Sequence, residues 1–262
     1  MYSTGSNDTN KDEFIDNLLN TFRTPFWLDE HRWFVRCQWN SSSDNIVLYS
    51  LPYSSDDYFF QQQVHHFKFT CPNDEEYLSY NCVRQIRSKI TSDYRPSLLI
   101  HFSNLESLEI HMPASENLCS IVTKMNHLRS LHVSLGDDST TLSDLQALFD
   151  RTPHLYSLGI DGCEVSQLID LNFICPSIRR LILTSHSDEH DEYLNDTQLT
   201  ILANSLLGRQ CEILSVDVEN LMNIIYLVKN MVYLRALTCR CHRAKGENSR
   251  SSSLSVKDEF IT

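Results

Sequence analysis

The sequence predicts an α/β fold: a leucine-rich-repeat solenoid with a curved parallel sheet of short strands on the concave side, helices on the convex side and an aromatic-rich N-terminal cap. Three observations carry this expectation. The phrase L-x-x-L-x-L recurs, clearest as Leu128-x-x-Leu131-x-Val133, Leu155-x-x-Leu158-x-Ile160 and Ile178-x-x-Leu181-x-Leu183. The segments between the phrases carry helical periodicity. Of the 26 aromatic residues, 17 lie in the first 80 positions, ahead of the phrases. A unit of this kind cannot bury its apolar face alone, so copies must stack.

The chain divides into four parts. Residues 1–10 are Ser/Thr/Asn-rich and read as a flexible N-terminus. Residues 11–81 read as a helix followed by aromatic-rich strands, residues 82–241 as the repeats, and residues 242–262 as a disordered Ser/Arg-rich tail. The helix spans 11–23, with Phe14, Leu18 and Phe22 four apart and Ile15 and Leu19 beside them. Thr9 or Asn10 can cap it, and Pro25 ends it. Residues 33–39 and 46–51 alternate large apolar with polar residues and read as a hairpin around a Ser/Asp/Asn turn. Phe67-x-Phe69 is a third strand. The aromatic cluster reads as core and end-cap packing, with a base-stacking or sugar-binding platform as the alternative.

The repeats open weakly at Val83-x-x-Ile86. Leu105-x-x-Leu108-x-Ile110 and the three phrases above follow, then Cys211-x-x-Leu214-x-Val216 and Leu234-x-x-Leu237-x-Cys239. Steps between central positions are 22, 23, 27, 23, 33 and 23 residues. Most fall in the range of roughly 20–29 expected for such repeats, and the long step implies an inserted loop. Helices are expected between the phrases over 115–124, 142–149, 167–174, 195–207 and 221–229. The fourth is capped by Asn195 or Asp196, with Gly208 just past its end. In the fifth, Leu221, Ile224, Ile225 and Val228 are expected to share the buried face.

Composition narrows the function classes. The net charge of −12 disfavours a nucleic-acid-binding surface. None of the six glycines is spaced to cradle a phosphate, so P-loop and dinucleotide readings fall away and no cofactor is expected. No apolar run approaches the ~20 residues of a membrane span. Residues 1–13 lack the apolar stretch of a secretory signal, and the nine cysteines are an odd, scattered set. An intracellular protein, cytoplasmic or nuclear, with reduced thiols is expected.

Three side-chain constellations bear on chemistry. His186-Ser187-Asp188-Glu189-His190 matches H-x-x-E-H, which would make a metal-dependent hydrolase. Its acidic flanks and missing helical context read instead as a solvated loop. Cys239-x-Cys241-His242 with His65-His66 could hold a soft metal, but Cys239 already fills a repeat core position. Arg235, Arg240, His242, Arg243, Lys245 and Arg250 form a basic run in an acidic chain, read as a solvated tail. An acidic contact or phosphorylation among Ser249, Ser251, Ser252 and Ser253 is the alternative. No catalytic or metal residue is therefore assigned. Strand geometry points elsewhere: residues between and just after the inward-facing ones lie on the concave surface. These are Glu109, His111, His132, Asp161, Arg180, Asp217, Thr238 and Arg240, a mixed charged face of the kind that recognises protein.

The segments Pro153-x-Leu155-x-x-Leu158-x-Ile160-x-x-Cys163 and Cys175-Pro176-x-Ile178-x-x-Leu181-x-Leu183 resemble the cysteine-type repeats of F-box proteins. Thr24-Pro25-Phe26-Trp27 with Glu30-His31-x-Trp33-Phe34-Val35 is similar to a stretch preceding the repeats in F-box-type chains. The resemblance spans roughly 11–243. It implies a non-enzymatic module that selects substrates for a ubiquitin ligase, docked on a ligase scaffold through an F-box that is not found in this sequence. A free-standing scaffold or inhibitor is the alternative expectation.

Overall fold

The computed structural model describes residues 5–39, 45–58, 66–71, 80–90, 101–112, 122, 124–134, 141–161, 174–183, 193–241 and 254–256. The fold is mixed α/β. Two compact units are present: one comprises Met1–Ser88, Asp93–Leu105 and Glu116–Lys124, the other Lys89–Ser92, Glu106–Ser115 and Met125–Thr262.

In the first unit, helix α1 (Gly5–Asn20) starts earlier than the 11–23 expected from periodicity, so Thr9 and Asn10 lie within it and do not cap it. It packs Ile15 and Leu19, both fully buried, against Val35, Cys37 and Trp39 of β1 (Phe34–Trp39). Phe14 is exposed. A residue step of about 100° turns Phe14 away once Ile15 and Leu19 define the inner face. Strand β2 (Ile46–Leu51) pairs antiparallel with β1 as the hairpin pattern requires. Below, β3 is Asp57–Tyr58 and β4 is His66–Phe69, the latter antiparallel to the other edge of β1. Lys68 of β4 reaches back to Asp12 and Asp16 of α1, at 3.1 and 2.8 Å.

The polar residues of β1 are not solvated, contrary to a simple in–out alternation. Arg36 and Gln38 are buried. Arg36 donates to the Tyr80 hydroxyl at 3.1 Å and sits 5.0 Å above the Phe67 ring. The Tyr49 hydroxyl joins those of Tyr58 and Tyr80, at 3.3 and 3.1 Å. A guanidinium on a strand interior is tolerated because hydroxyls and a ring face replace part of its water. Burial raises the Tyr49 pKa first of all, and the neighbouring Tyr58 and Tyr80 hydroxyls raise it further.

Strand β5 (Gln85–Ile90) pairs parallel with β3, Ile86 lying opposite Tyr58. The carbonyl of Asp56 accepts from the amides of both Arg84 and Gln85. This clamp recurs throughout the second unit.

The second unit contains β6 (Ser107–His111), β7 (Ser130–Ser134), β8 (Ser157–Asp161), β9 (Arg180–Leu183), β10 (Ile213–Val218) and β11 (Ala236–Cys241). All six are parallel and consecutive. Leu108, Leu131, Leu158, Leu181, Leu214 and Leu237 stand opposite one another in a single row. A second row holds Ile110, Val133, Ile160, Leu183, Val216 and Cys239. Both rows are buried. Strands β7 to β11 each enter through the same device. One carbonyl (Glu106, Arg129, Tyr156, Arg179, Glu212) accepts two successive amides of the next turn.

Helices connect some of these strands. Helix α2 (Thr141–Arg151) covers the expected 142–149 and buries Leu145, Leu148 and Phe149. The expected helix 195–207 is broken in two. α3 (Asp196–Asn204) opens with a capping box, Asn195 and Gln198 bonding reciprocally. α4 (Leu206–Gln210) restarts on Ser205, whose hydroxyl accepts from the Gly208 amide. Gly208 is thus inside α4, not past the end of a longer helix. Any Cβ there would strike the Leu202 carbonyl. The break leaves Leu206 exposed and buries Leu207. Helix α5 (Leu221–Asn230), capped by Asn220, turns Asn223 and Leu227 inward. Leu221, Ile225 and Val228, expected to face the core, are exposed.

The tail expected to be disordered contributes β12 (Leu254–Val256), antiparallel to β11. An antiparallel strand ends the parallel ladder and pairs its free edge. The rest of 242–262, and the expected helices over 115–124 and 167–174 apart from Val122, Lys124 and Ile174, lie outside the described residues.

Candidate functional site

Because side chains alternate along a strand, three rows of β6–β11 point away from the two buried rows. The first runs through Ser107, Ser130, Ser157, Arg180, Ile213 and Ala236. The second contains Glu109, His132, Gly159, Ile182, Ser215 and Thr238. The third places His111, Ser134 and Asp161 in line on β6–β8, and Asp217 beside Arg240 on β10 and β11. All eight residues predicted from the repeat geometry sit on these rows.

Their electrostatics divide them. Asp217 is buried, and Arg240 grips its carboxylate with two bonds, Nε to Oδ1 at 2.8 Å and Nη2 to Oδ2 at 2.5 Å. Asp161 is likewise buried, and the Nε2 of His132 lies 2.9 Å from its Oδ2. His111 Nδ1 is 2.9 Å from the Ser134 carbonyl. Arg240 and Asp217 are therefore hydrogen-bonded across strands, and His132 and Asp161 are in close contact across theirs. Arg180 and Thr238 are exposed, and Glu109 is half-buried. Arg180 makes no ion pair among the described residues. Its neighbour Arg179 does, at 3.5 Å from Glu212, which also lies 3.7 Å from Arg235.

Gly159 shapes the second outward row. It stands opposite His132, and the imidazole lies over its Cα; a Cβ there would overlap the ring. Glycine in a strand interior marks such a close approach. Leu158-Gly159-Ile160 carries that signal in the sequence.

Residues 186–190, His65, His242, Arg243, Lys245, Arg250 and the serines at 249 and 251–253 lie outside the described residues. Cys239 is buried in the core row, and its thiol is pushed up to about 12 by burial, then by Asp217 and Cys241. Among the described residues no group of three His, Cys, Asp or Glu side chains could hold a metal ion. No described helix is long and apolar enough to cross a membrane. Of the aromatic cluster, Trp39 is core, Trp27 is half-buried, and Trp33 is exposed with His31 tilted against it at 4.6 Å between centroids.

Comparison with known proteins adds no relative: no family model, curated protein or solved structure matches this chain.

Proposed function

We propose that β6–β11 and their helices form a leucine-rich-repeat solenoid, and that the chain is a non-enzymatic protein-interaction module binding through the three outward rows of those strands. One observation supports the architecture above the rest: six leucines stand in a single row, and β7 to β11 are each entered through the same two-amide clamp. The binding reading rests on the chemistry of the outward rows. Cross-strand pairs tie down Asp161 and Asp217, so the face keeps its shape without a partner. Arg180 and Thr238 are left exposed to make contacts. A preorganised polar face of this kind loses little conformational entropy when a protein docks.

The resemblance to F-box-type chains adds a class of partner: a substrate for ubiquitin transfer, with a ligase scaffold in the same complex. Affinity purification of the full chain beside an Arg180→Glu/Thr238→Lys variant tests both parts. Proteins held by the parent chain and lost by an equally stable variant support the outward rows as the contact. The same proteins on both would remove that assignment. A ligase scaffold component among those held supports the ubiquitin reading; its absence leaves a free-standing scaffold or inhibitor.

A further inference from the structure

One side of α5 presents aliphatic side chains to solvent. Leu221, Ile225 and Val228 follow one another at spacings of four and three, and Val232 continues the line just past the helix end. Their exposures are 60, 46, 61 and 85%. The helix is held to its own unit by a different side, through Asn223, Leu227 and Met231, all buried. Val228 therefore plays no part in anchoring α5. Met222 on the helix and Tyr233 just past its end are exposed as well. Monomers rarely leave an apolar stripe of this kind uncovered.

We infer that this stripe is a self-association surface on which α5 of a second copy of this chain packs antiparallel about a two-fold axis. The charge pattern selects that occupant. Between residues 219 and 230 only Glu219, before the helix, and Lys229, in its last turn, carry charge, and both are exposed. Antiparallel pairing turns the Lys229 end of each helix toward the Glu219 end of the other, and sets the two helix dipoles head to tail. Parallel pairing would oppose like charges. The 4-3-4 spacing is the one that lets two helices interlock along a seam. Six side chains exposed to this degree offer on the order of 500 Å² per copy, or about 1,000 Å² for the pair, where specific association begins. An interface at this lower limit of size fits a weak, reversible dimer.

Sedimentation velocity on the full chain, across a concentration range of about 1–100 µM, reads this out. The parent chain should shift reversibly from monomer to dimer. Val228→Glu should weaken the dimer by roughly tenfold or more, because it buries a charge at the seam. Far-UV circular dichroism and Tm should stay unchanged, the site being exposed. Glu219→Lys and Lys229→Glu should each weaken the dimer, and the double reversal should restore it. A parent chain that stays monomeric overturns the inference, as does a dimer indifferent to Val228→Glu. Failure of the double reversal to restore association overturns the antiparallel arrangement. None of these outcomes touches the outward strand rows, so this surface and the proposed binding face stand or fall separately.

Discussion

His132 Nε2 lies 2.9 Å from Asp161 Oδ2, and the imidazole reaches that position only by crossing the bare Cα of Gly159 on the neighbouring strand. Three residues on two strands are coupled by one missing methyl group. Gly159→Ala should therefore destabilise the second unit by about 1–3 kcal/mol, the usual range for overpacking. In a His132→Ala background the same substitution should stabilise by about 0.5–1 kcal/mol, because a strand alanine loses less chain entropy than glycine. Urea midpoints for the four proteins of the cycle check this. The predicted signature is a change of sign, not of size.

Arg240 and Asp217 are predicted to behave asymmetrically. Arg240→Ala leaves a buried carboxylate without its bidentate partner and should cost about 1–3 kcal/mol, the arginine itself being half-exposed. Adding Asp217→Asn should recover a large part of the loss by removing the charge. Thermal unfolding of both variants measures it.

The leucine row predicts a sharp positional contrast. Leu158→Ala should cost about 2–5 kcal/mol, and Leu131→Asp or Leu158→Asp should unfold the second unit outright. Thr238→Ala, on an outward row two strands from β9, should stay within about 0.5 kcal/mol. Chemical denaturation of the set would show equal tolerance if the rows were assigned to the wrong faces.

Buried thiols give the molecule an alkaline limit. Burial raises Cys37 and Cys211 to about 11 and Cys239 to about 12, from an ordinary value of 9.0. The unfolded chain releases these protons as pH climbs past 9, while the folded chain retains them. Stability is therefore fully present below pH 9 and falls as pH rises toward 11 and 12. Cys239→Val should flatten the slope of unfolding free energy against pH within that window. An unchanged slope would contradict the burial of that thiol.

Much of the strand layer was legible in the sequence because a short strand with one buried face has period two, and the phrase L-x-x-L-x-L marks its inward positions directly. Leu108, Leu131, Leu158 and Leu181 fell in one row for that reason, and the eight outward residues followed from them. Helix faces were less legible. Periodicity shows that a helix has an apolar side, not which side meets a neighbour. Phe14 and Val228 carry the right spacing and point to solvent. Chain breaks set by one hydrogen bond, such as Ser205 to the Gly208 amide, leave almost no trace in composition. Arg36 shows a further limit: an arginine on an alternating strand reads as exposed until Tyr80 and Phe67, far along the chain, are brought around it.

Methyl-labelled NMR gives the most direct test of the stacked register. Nuclear Overhauser contacts should join the methyl groups of Leu131 to those of Leu158, and Leu158 to Leu181, across strands 4.7–4.9 Å apart as in any sheet of roughly this geometry. Contacts that instead join Leu158 to residues of the outward rows, or that skip a neighbouring strand, would contradict the account.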